Sequence, residues 1–196
     1  MNLIDLKRLS KKNVPLNSYR KDQESGRVII QISLDKYDDV FDDWDSSPFK
    51  MRDIEDEFLD FIWDSIEDIP PHMDVIFEFS IPESLHNDQK EKVLISALNH
   101  QFDYMLRKNK RQRIRDIKET LRYFSIGILF FIISYTLFDE TTSFITQIIK
   151  DGFFVGAWLF IWETFSNIFI KSYKLSEERQ IVQRFKRAQI KFILRP

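Results

Sequence analysis

The sequence contains no cysteine, only four glycines and only three histidines among its 196 residues. The absence of cysteine excludes disulfides, thiolate chemistry and zinc sites built on cysteine ligands. No glycine-rich phosphate loop, Ser-His-Asp candidate or paired-carboxylate site is found, and His72, His86 and His100 offer no pair with metal-ligand spacing. The sequence therefore predicts neither an enzyme nor a bound metal or cofactor.

Charge is nearly balanced over the whole chain, with a net of −2, but it is strongly segregated. Residues 35–68 include 14 acidic and three basic side chains, whereas residues 107–122 and 171–196 each include eight basic and two acidic ones. Separation of this kind indicates that the chain is organised along an axis.

Two apolar stretches, residues 121–138 and 152–170, have the length of membrane-spanning helices. Residues 123–138 include no charged side chain, and residues 152–170 include one, Glu163. The short connection between them predicts a transmembrane hairpin. The alternative is a pair of buried core helices.

Basic residues precede the first stretch and follow the second, whereas the connecting loop is acidic. The positive-inside rule then predicts a multi-pass protein of the inner membrane with both termini in the cytoplasm. We expect the basic side chains to contact anionic lipid headgroups, and these are Arg111, Arg113, Arg115, Lys118, Arg122 and Lys174. Because the membrane explains the basic runs, nucleic-acid binding is not predicted. Apolar residues at helical spacing in the loop predict a short interfacial helix.

The second stretch has two features of interest. Gly152-x-x-x-Gly156, followed by Ala157, provides a small-residue surface for close packing against another helix. Glu163, Asn167 and Lys171 are each one helical turn apart, so they predict a polar stripe. Three interpretations of Glu163 stay open: a structural partner of Lys171, Arg122 or a neighbouring backbone, part of a proton or ion path, or a group that binds a partner.

The remaining sequence predicts a small cytoplasmic domain. Residues 27–34 and 74–81 alternate between apolar and polar side chains, as half-buried strands do. Between them lies a helical stripe that ends at Pro70–Pro71. A two-stranded sheet is marginal, so we expect a third strand from the N-terminal segment or from another subunit, which is the argument for a homo-oligomer.

The acidic residues 35–45 place Tyr37, Val40, Phe41 and Trp44 at helical spacing, with an acidic outer face made of Asp38, Asp39, Asp42, Asp43 and Asp45. A calcium loop is not predicted, because the required glycine and closing glutamate are missing. The acidic face is either simply solvated or meets a basic partner or the basic neck.

The predicted fold is α+β. It consists of a basic segment (1–26), a cytoplasmic α/β domain with a two- or three-stranded sheet (27–106), a neck helix (107–122), the transmembrane hairpin (123–170) and a basic amphipathic C-terminal helix (171–196). One long helix from residue 88 continues into the first span. The C-terminal helix either packs along the neck or lies on the membrane.

The segment YDDVFDDWDSSPFKMRDIEDEFLDFI combines an acidic run, Ser47-Pro48-Phe49, Arg52-Asp53 and a helix. It resembles a family of small bacterial membrane proteins with a short α/β cytoplasmic part before two spans, the second span also having a glycine, a tryptophan and an acid (here Gly156, Trp158 and Glu163). The family has no assigned activity, so the resemblance implies an architecture and no function. Ser46 and residues 164–167 depart from its pattern.

Two functions agree with these features. The first is a non-enzymatic membrane protein whose cytoplasmic domain mediates self-assembly or partner docking. The second is an oligomeric effector that conducts ions or disrupts the bilayer, with the cytoplasmic domain as its sensor; the polar stripe would serve it. A third function, an enzyme, is not favoured because the sequence lacks any catalytic constellation. Of the first two functions, we predict the first.

Overall fold

The structure is a computed structural model that describes residues 19–45, 52–136 and 143–196. Three predictions lie partly or wholly outside the described residues: the first 18 residues of the basic segment, Ser47-Pro48-Phe49, and residues 137–142, which end the first span and begin the loop. The chain forms two compact units. Residues up to 105 and from 181 onward make one unit, which we call the α+β unit, and residues 106–180 make the other, the helical unit.

The α+β unit contains a mixed four-stranded sheet in the order β1-β2-β3-β4. The strands are β1 (Arg20–Lys21), β2 (Val28–Ser33), β3 (Val75–Pro82) and β4 (Gln189–Arg195). β1 runs antiparallel to β2, whereas β2, β3 and β4 are parallel. The α+β class and the two strands that alternation predicted are therefore confirmed.

Helices cover one face of this sheet. They are α1 (Asp56–Glu67), the first part of α2 (Asp88–Thr136) and the last part of α4 (Ser172–Arg187), with a 3-10 turn at Tyr37–Val40. Phe185 of α4 has its ring 5.1 Å from that of Phe102, 5.8 Å from Trp63 and 6.2 Å from Phe77. Phe79 stacks on Phe192 of β4. Large aromatic rings therefore fill the core between helices and sheet.

The other face of the sheet is mixed: it includes the buried pair Ile29 and Ile76 and, two residues further along the strands, a row of polar side chains. Gln31, Glu78 and Lys191 lie side by side across three strands. The Gln31 amide donates a 2.8 Å hydrogen bond to Glu78 Oε1, and Arg20 lies 3.8 Å from the same carboxylate. Lys191 pairs with Asp22 at 3.5 Å. Polar side chains thus satisfy one another across the strands.

The sheet differs from the predicted one at both edges. It has four strands rather than two or three, and the additional strands come from residues 20–21 and 189–195 of the same chain. The predicted C-terminal helix ends at Arg187, so the helix prediction was wrong for the last residues. Ala188 and Phe192 fit the helical stripe, but pairing with the open edge of β3 gives residues 189–195 a ladder of backbone hydrogen bonds. A missing strand is therefore no longer an argument for a homo-oligomer.

Arg184 of α4 is buried and connects the C-terminal helix to the end of α1. Its guanidinium donates hydrogen bonds to the carbonyl oxygens of four residues, at 3.0, 2.9, 3.1 and 3.0 Å: Ile66, Ile69, Pro70 and Met73. The last carbonyls of a helix lack partners within the helix and have a partial negative charge, which a cation complements. Burial lowers the pKa of Arg184, and the charge of Arg187 lowers it further, whereas Asp74 opposes both.

The helical unit contains the second part of α2 and α3 (Phe144–Ser166), followed by a π-helical turn (Asn167–Lys171) and the start of α4. The predicted interfacial helix in the loop does not form as a separate element, since residues from Phe144 onward are the first turns of α3. The segment Phe144–Arg187 is continuously helical and comprises α3, the π-helical turn and α4. Among the described residues, it is the one helix that is long and apolar enough to cross a membrane. The described part of α2 ends at Thr136, before the predicted first span is complete.

Candidate functional site

The most buried residues between α2 and α3 are small or polar, and aromatic rings such as those of Phe130 and Phe160 contact each other beside them. The five residues with little exposure to solvent at this contact are Gly127, Ser134, Ala157, Thr164 and Asn167. A Cβ on Gly127 would lie 3.3 Å from the Ala157 carbonyl oxygen, so the two backbones approach closely. The Ser134 hydroxyl donates to the Lys150 carbonyl across the pair. Close contact through small residues is typical of helices that pack inside a bilayer.

Large apolar side chains of the same two helices point outward. The exposed residues include Phe124, Ile128, Leu129 and Ile132 on α2, and Val155, Trp158, Leu159, Trp162 and Phe165 on α3. A water-soluble helix pair buries its large apolar residues and exposes its polar ones. The helical unit has the opposite arrangement, which makes its surface suitable for contact with lipid.

The predicted small-residue surface is used in part. A Cβ on Gly156 would lie 3.0 Å from the Phe130 ring, and Ala157 is completely buried. A Cβ on Gly152 would have no heavy atom of the described residues within 4 Å, apart from the backbone of its own helix. Gly152 therefore does not take part in this helix contact. Sequence reasoning missed Gly127, although a lone glycine within an apolar helix was the available signal.

The three residues of the predicted polar stripe do not point the same way. Glu163 and Lys171 are both partly exposed, and their charged groups lie 3.6 Å apart. Asn167 between them is 4% exposed and begins the π-helical turn. The Asn167 N–H still bonds to the Glu163 carbonyl, so the π turn changes the α-helical pattern only for the residues that follow Asn167. Of the three interpretations of Glu163, this contact corresponds to the first, a structural pairing with Lys171. A proton or ion path and a partner site stay predictions.

A groove of about 480 Å³ lies within the helical unit, between α2 and the helix that runs through Asn167. Apolar side chains such as Leu121, Phe124 and Phe165 form most of its wall, and Arg113 and Asp116 lie at its polar end. Asn167 also lines the groove. Neither the nitrogen nor the oxygen of its side-chain amide has a hydrogen-bond partner among the described residues.

The residues predicted to contact headgroups are all exposed: Arg111, Arg113, Arg115, Lys118, Arg122 and Lys174. Of these, Arg113 lines the groove. The Arg122 guanidinium lies 5.7 Å from the centre of the Tyr123 ring, and Arg115 donates to Gln112. Their placement along the helices leaves the cationic groups accessible at the end of the unit where the apolar surface begins.

Most carboxylates of the predicted acidic face stabilise their own loop. Asp39 accepts hydrogen bonds from the backbone N–H groups of residues 35 and 36, Asp42 from that of residue 44, and Asp45 from that of residue 53. Asp38 pairs with Arg52 at 3.2 Å, and Asp43 is exposed. Contacts within the α+β unit therefore account for four of the five acidic residues, and no other protein is needed to explain them.

Trp44 does not join the predicted apolar face of this loop. Tyr37, Val40 and Phe41 are buried as the spacing predicted, whereas Trp44 is 95% exposed. The 3-10 turn ends at Val40, so the helical spacing does not extend to residue 44. A large aromatic side chain is therefore presented to solvent between Asp43 and Asp45.

A histidine–carboxylate cluster lies at the start of α2. One ligand atom each of His86, Asp88 and Glu91 lies within 4.8 Å of the others, a spacing that could hold a cation. Sequence analysis missed it because the histidines were compared only with one another. The buried Tyr37 hydroxyl donates to Glu91. Burial raises the pKa of Tyr37, with the Asn87 N–H opposing and the Glu91 charge adding to the shift.

Comparison with protein-family models, with curated proteins and with solved structures gave no match. The resemblance to small bacterial two-span proteins therefore stays a prediction. The arguments for function depend on the geometry described above.

Proposed function

We propose that the chain is a non-enzymatic inner-membrane protein that is inserted through the α2–α3 hairpin, with both termini in the cytoplasm, and that its α+β unit mediates self-assembly or docking of a partner. One observation carries the proposal. The chain leaves the α+β unit after residue 105 and returns to it at residue 181, having passed through a helix pair with an apolar exterior.

The return of the chain to the same unit supports an even number of crossings. β3 and β4 pair within one sheet, so the residues before and after the helical unit lie on the same side of a membrane. A chain that begins and ends on one side crosses an even number of times. If the helix Phe144–Arg187 crosses, the apolar part of α2 crosses as well. This supports two spans even though one described helix meets the length and composition of a span.

The absence of cysteine makes the topology directly testable, since a single introduced thiol is the only site for a maleimide. In intact spheroplasts, we expect a membrane-impermeant maleimide to label Ser143→Cys, at the start of α3. We expect it to label Gln23→Cys and Pro196→Cys only after lysis. The wild-type chain should remain in the membrane after carbonate extraction. Extraction by carbonate, or labelling of Pro196→Cys without Gln23→Cys, would contradict the proposal.

Trp44 supports the docking role of the α+β unit. Tryptophan is enriched among the residues that dominate binding energy at protein interfaces, and a nearly fully exposed one is unusual on an isolated domain. The neighbouring Asp43 and the other carboxylates of the loop give this surface a negative charge. A partner, or a second copy, that presents basic residues around an apolar pocket would complement it.

We expect Trp44→Ala to weaken self-association, or binding of the partner, by about tenfold or more. The measurement is the concentration dependence of the oligomer in detergent, by native mass spectrometry, together with pull-down by the tagged full-length chain. Tyr104→Ala is a matched control, because Tyr104 is a half-exposed aromatic residue of the same unit. A wild-type chain that is monomeric at every concentration and retains no protein would disprove the docking function.

A further inference from the structure

The groove in the helical unit has an unusual polar group in an apolar setting. Asn167 is 4% exposed, and both polar atoms of its amide lack partners among the described residues. A buried amide without hydrogen-bond partners is destabilising, so a structure that retains one generally satisfies it by another molecule, water included. The neighbouring hydroxyls are already engaged: Thr120 donates to the Asp116 carbonyl and Thr164 to the Phe160 carbonyl.

The wall of the groove changes character along its length. Its polar end includes the exposed cation Arg113 and the carboxylate Asp116, and the rest is formed mainly by apolar side chains such as Leu121, Phe124, Phe165 and Ile168. The volume of about 480 Å³ lies within the usual range of ligand pockets, about 300–1,000 Å³. A ligand that fits is therefore elongated and apolar, with an anionic head that also has hydrogen-bonding groups.

We propose that this groove binds one anionic phospholipid, with an acyl chain along the apolar wall and the headgroup at Arg113 and the Asn167 amide. This inference rests on the proposed membrane location. The amide supplies both a donor, for phosphate or ester oxygens, and an acceptor, for a headgroup hydroxyl such as that of phosphatidylglycerol. Arg113 supplies the charge that prefers a phosphate. The Asp116 carboxylate at the polar end accepts a 2.7 Å hydrogen bond from Gln112.

The position of the groove favours a lipid over a soluble ligand. It lies where the basic part of α2 gives way to apolar residues, which is where the headgroup plane of a bilayer meets a spanning helix. A second copy of the chain would need to insert a helix whose acidic residues complement the basic end of the groove. A lipid needs only to diffuse sideways into an open groove.

Native mass spectrometry of the full chain, released from nanodiscs that contain equal amounts of phosphatidylglycerol and phosphatidylcholine, tests the inference. We expect one retained phosphatidylglycerol per chain, with about tenfold preference over phosphatidylcholine. Asn167→Leu should reduce retention of phosphatidylglycerol by about tenfold. Arg113→Gln should abolish the preference between the two lipids. Lys110→Gln, which removes the same charge from an exposed residue of α2 outside the groove, should change neither.

The outcomes separate this inference from the proposed function. A wild-type chain that carbonate extracts from membranes overturns both. A chain that stays in the membrane but retains the two lipids equally overturns the lipid site alone, as does unchanged retention in Asn167→Leu, which would mean that water satisfies the amide. If Asn167→Leu does not fold, the exposed Arg113 decides, since equal preference in wild type and Arg113→Gln overturns the assignment. Dimers that exclude lipid from the groove would assign it to a second copy instead.

Discussion

Replacement of Arg184 by methionine is expected to destabilise the α+β unit by about 3–5 kcal/mol. Methionine retains much of the aliphatic volume but removes the guanidinium donor from four carbonyl oxygens of the α1–β3 connection. The carbonyls of Ile66 and Pro70 keep a backbone N–H donor, whereas no backbone donor to those of Ile69 and Met73 is seen in the described residues. The carbonyls at the end of α1 also lose the cation that complements their partial charge. The four contacts join residues that lie more than 100 positions apart in the sequence.

Hydrogen exchange on the full chain in detergent, followed by mass spectrometry, measures this effect. Exchange should rise about a hundredfold or more in the peptides that contain residues 66–82 and 189–196. Arg187→Met is the control, because Arg187 is exposed and makes one long hydrogen bond, 3.4 Å, within its own helix. The exchange rate of Arg184→Lys should lie between those of Arg184→Met and Arg187→Met, because an ammonium retains the charge but has only three N–H donors. Equal exchange in Arg184→Met and wild type would show that the four contacts contribute nothing to stability.

Replacement of Ala157 by leucine is expected to separate α2 from α3. Ala157 is fully buried where its carbonyl approaches Gly127, so a larger side chain has no space unless one helix moves. Overpacking of this kind costs typically about 1–3 kcal/mol, which corresponds to a lower melting temperature by about 2–12 °C for a chain of this size. The Trp158 ring lies edge-on to Phe131 of α2, so the near-UV circular dichroism of the full chain in detergent reports on the contact.

Val155→Leu provides the comparison for this experiment. Val155 is two residues before Ala157 on the same helix and is 57% exposed. The substitution therefore adds apolar volume to the outer surface and not to the interface. We expect its melting temperature to stay near that of wild type. Equal losses in the two variants would indicate that the described contact between the helices is not the one that holds them together.

The local parts of the fold were predictable because their signals lie within a few residues of one another. Alternation located β2 and β3, and a helical stripe followed by two prolines located α1. The beginning of α2 at residue 88 also agrees with the predicted cap region. Each of these depends on hydrophobic periodicity, which the sequence states directly.

The remote contacts were not predictable in the same way. β4 pairs with a strand more than 100 residues earlier, and the residues that form it also fit a helical stripe. Arg184 was read as part of a basic outer face, because its four acceptors are backbone atoms between 111 and 118 residues away. Backbone carbonyls leave no residue-type signal in a sequence.

The candidate site was predictable in composition but not in orientation. The positions of Glu163, Asn167 and Lys171 suggested one polar stripe, and ideal α-helical geometry would have produced it. Asn167 instead lies on the inner side of the helix with Thr164, whereas Glu163 is partly exposed, so Asn167 becomes the polar group of the groove. The π-helical turn changes the direction of the residues that follow Asn167, and nothing in the side chains of residues 167–171 marks such a turn.

The position of β4 at the far end of the chain has a consequence for synthesis on the ribosome. When residues 19–105 leave the ribosome, one edge of β3 is open, and it stays open until residue 189 and its neighbours are made. An open strand edge promotes aggregation and attracts proteases and chaperones. If the hairpin inserts with the wrong number of crossings, β4 emerges on the other side and that edge is never covered. Under the proposed topology, the sheet is therefore completed only in chains whose helical unit crosses the membrane an even number of times.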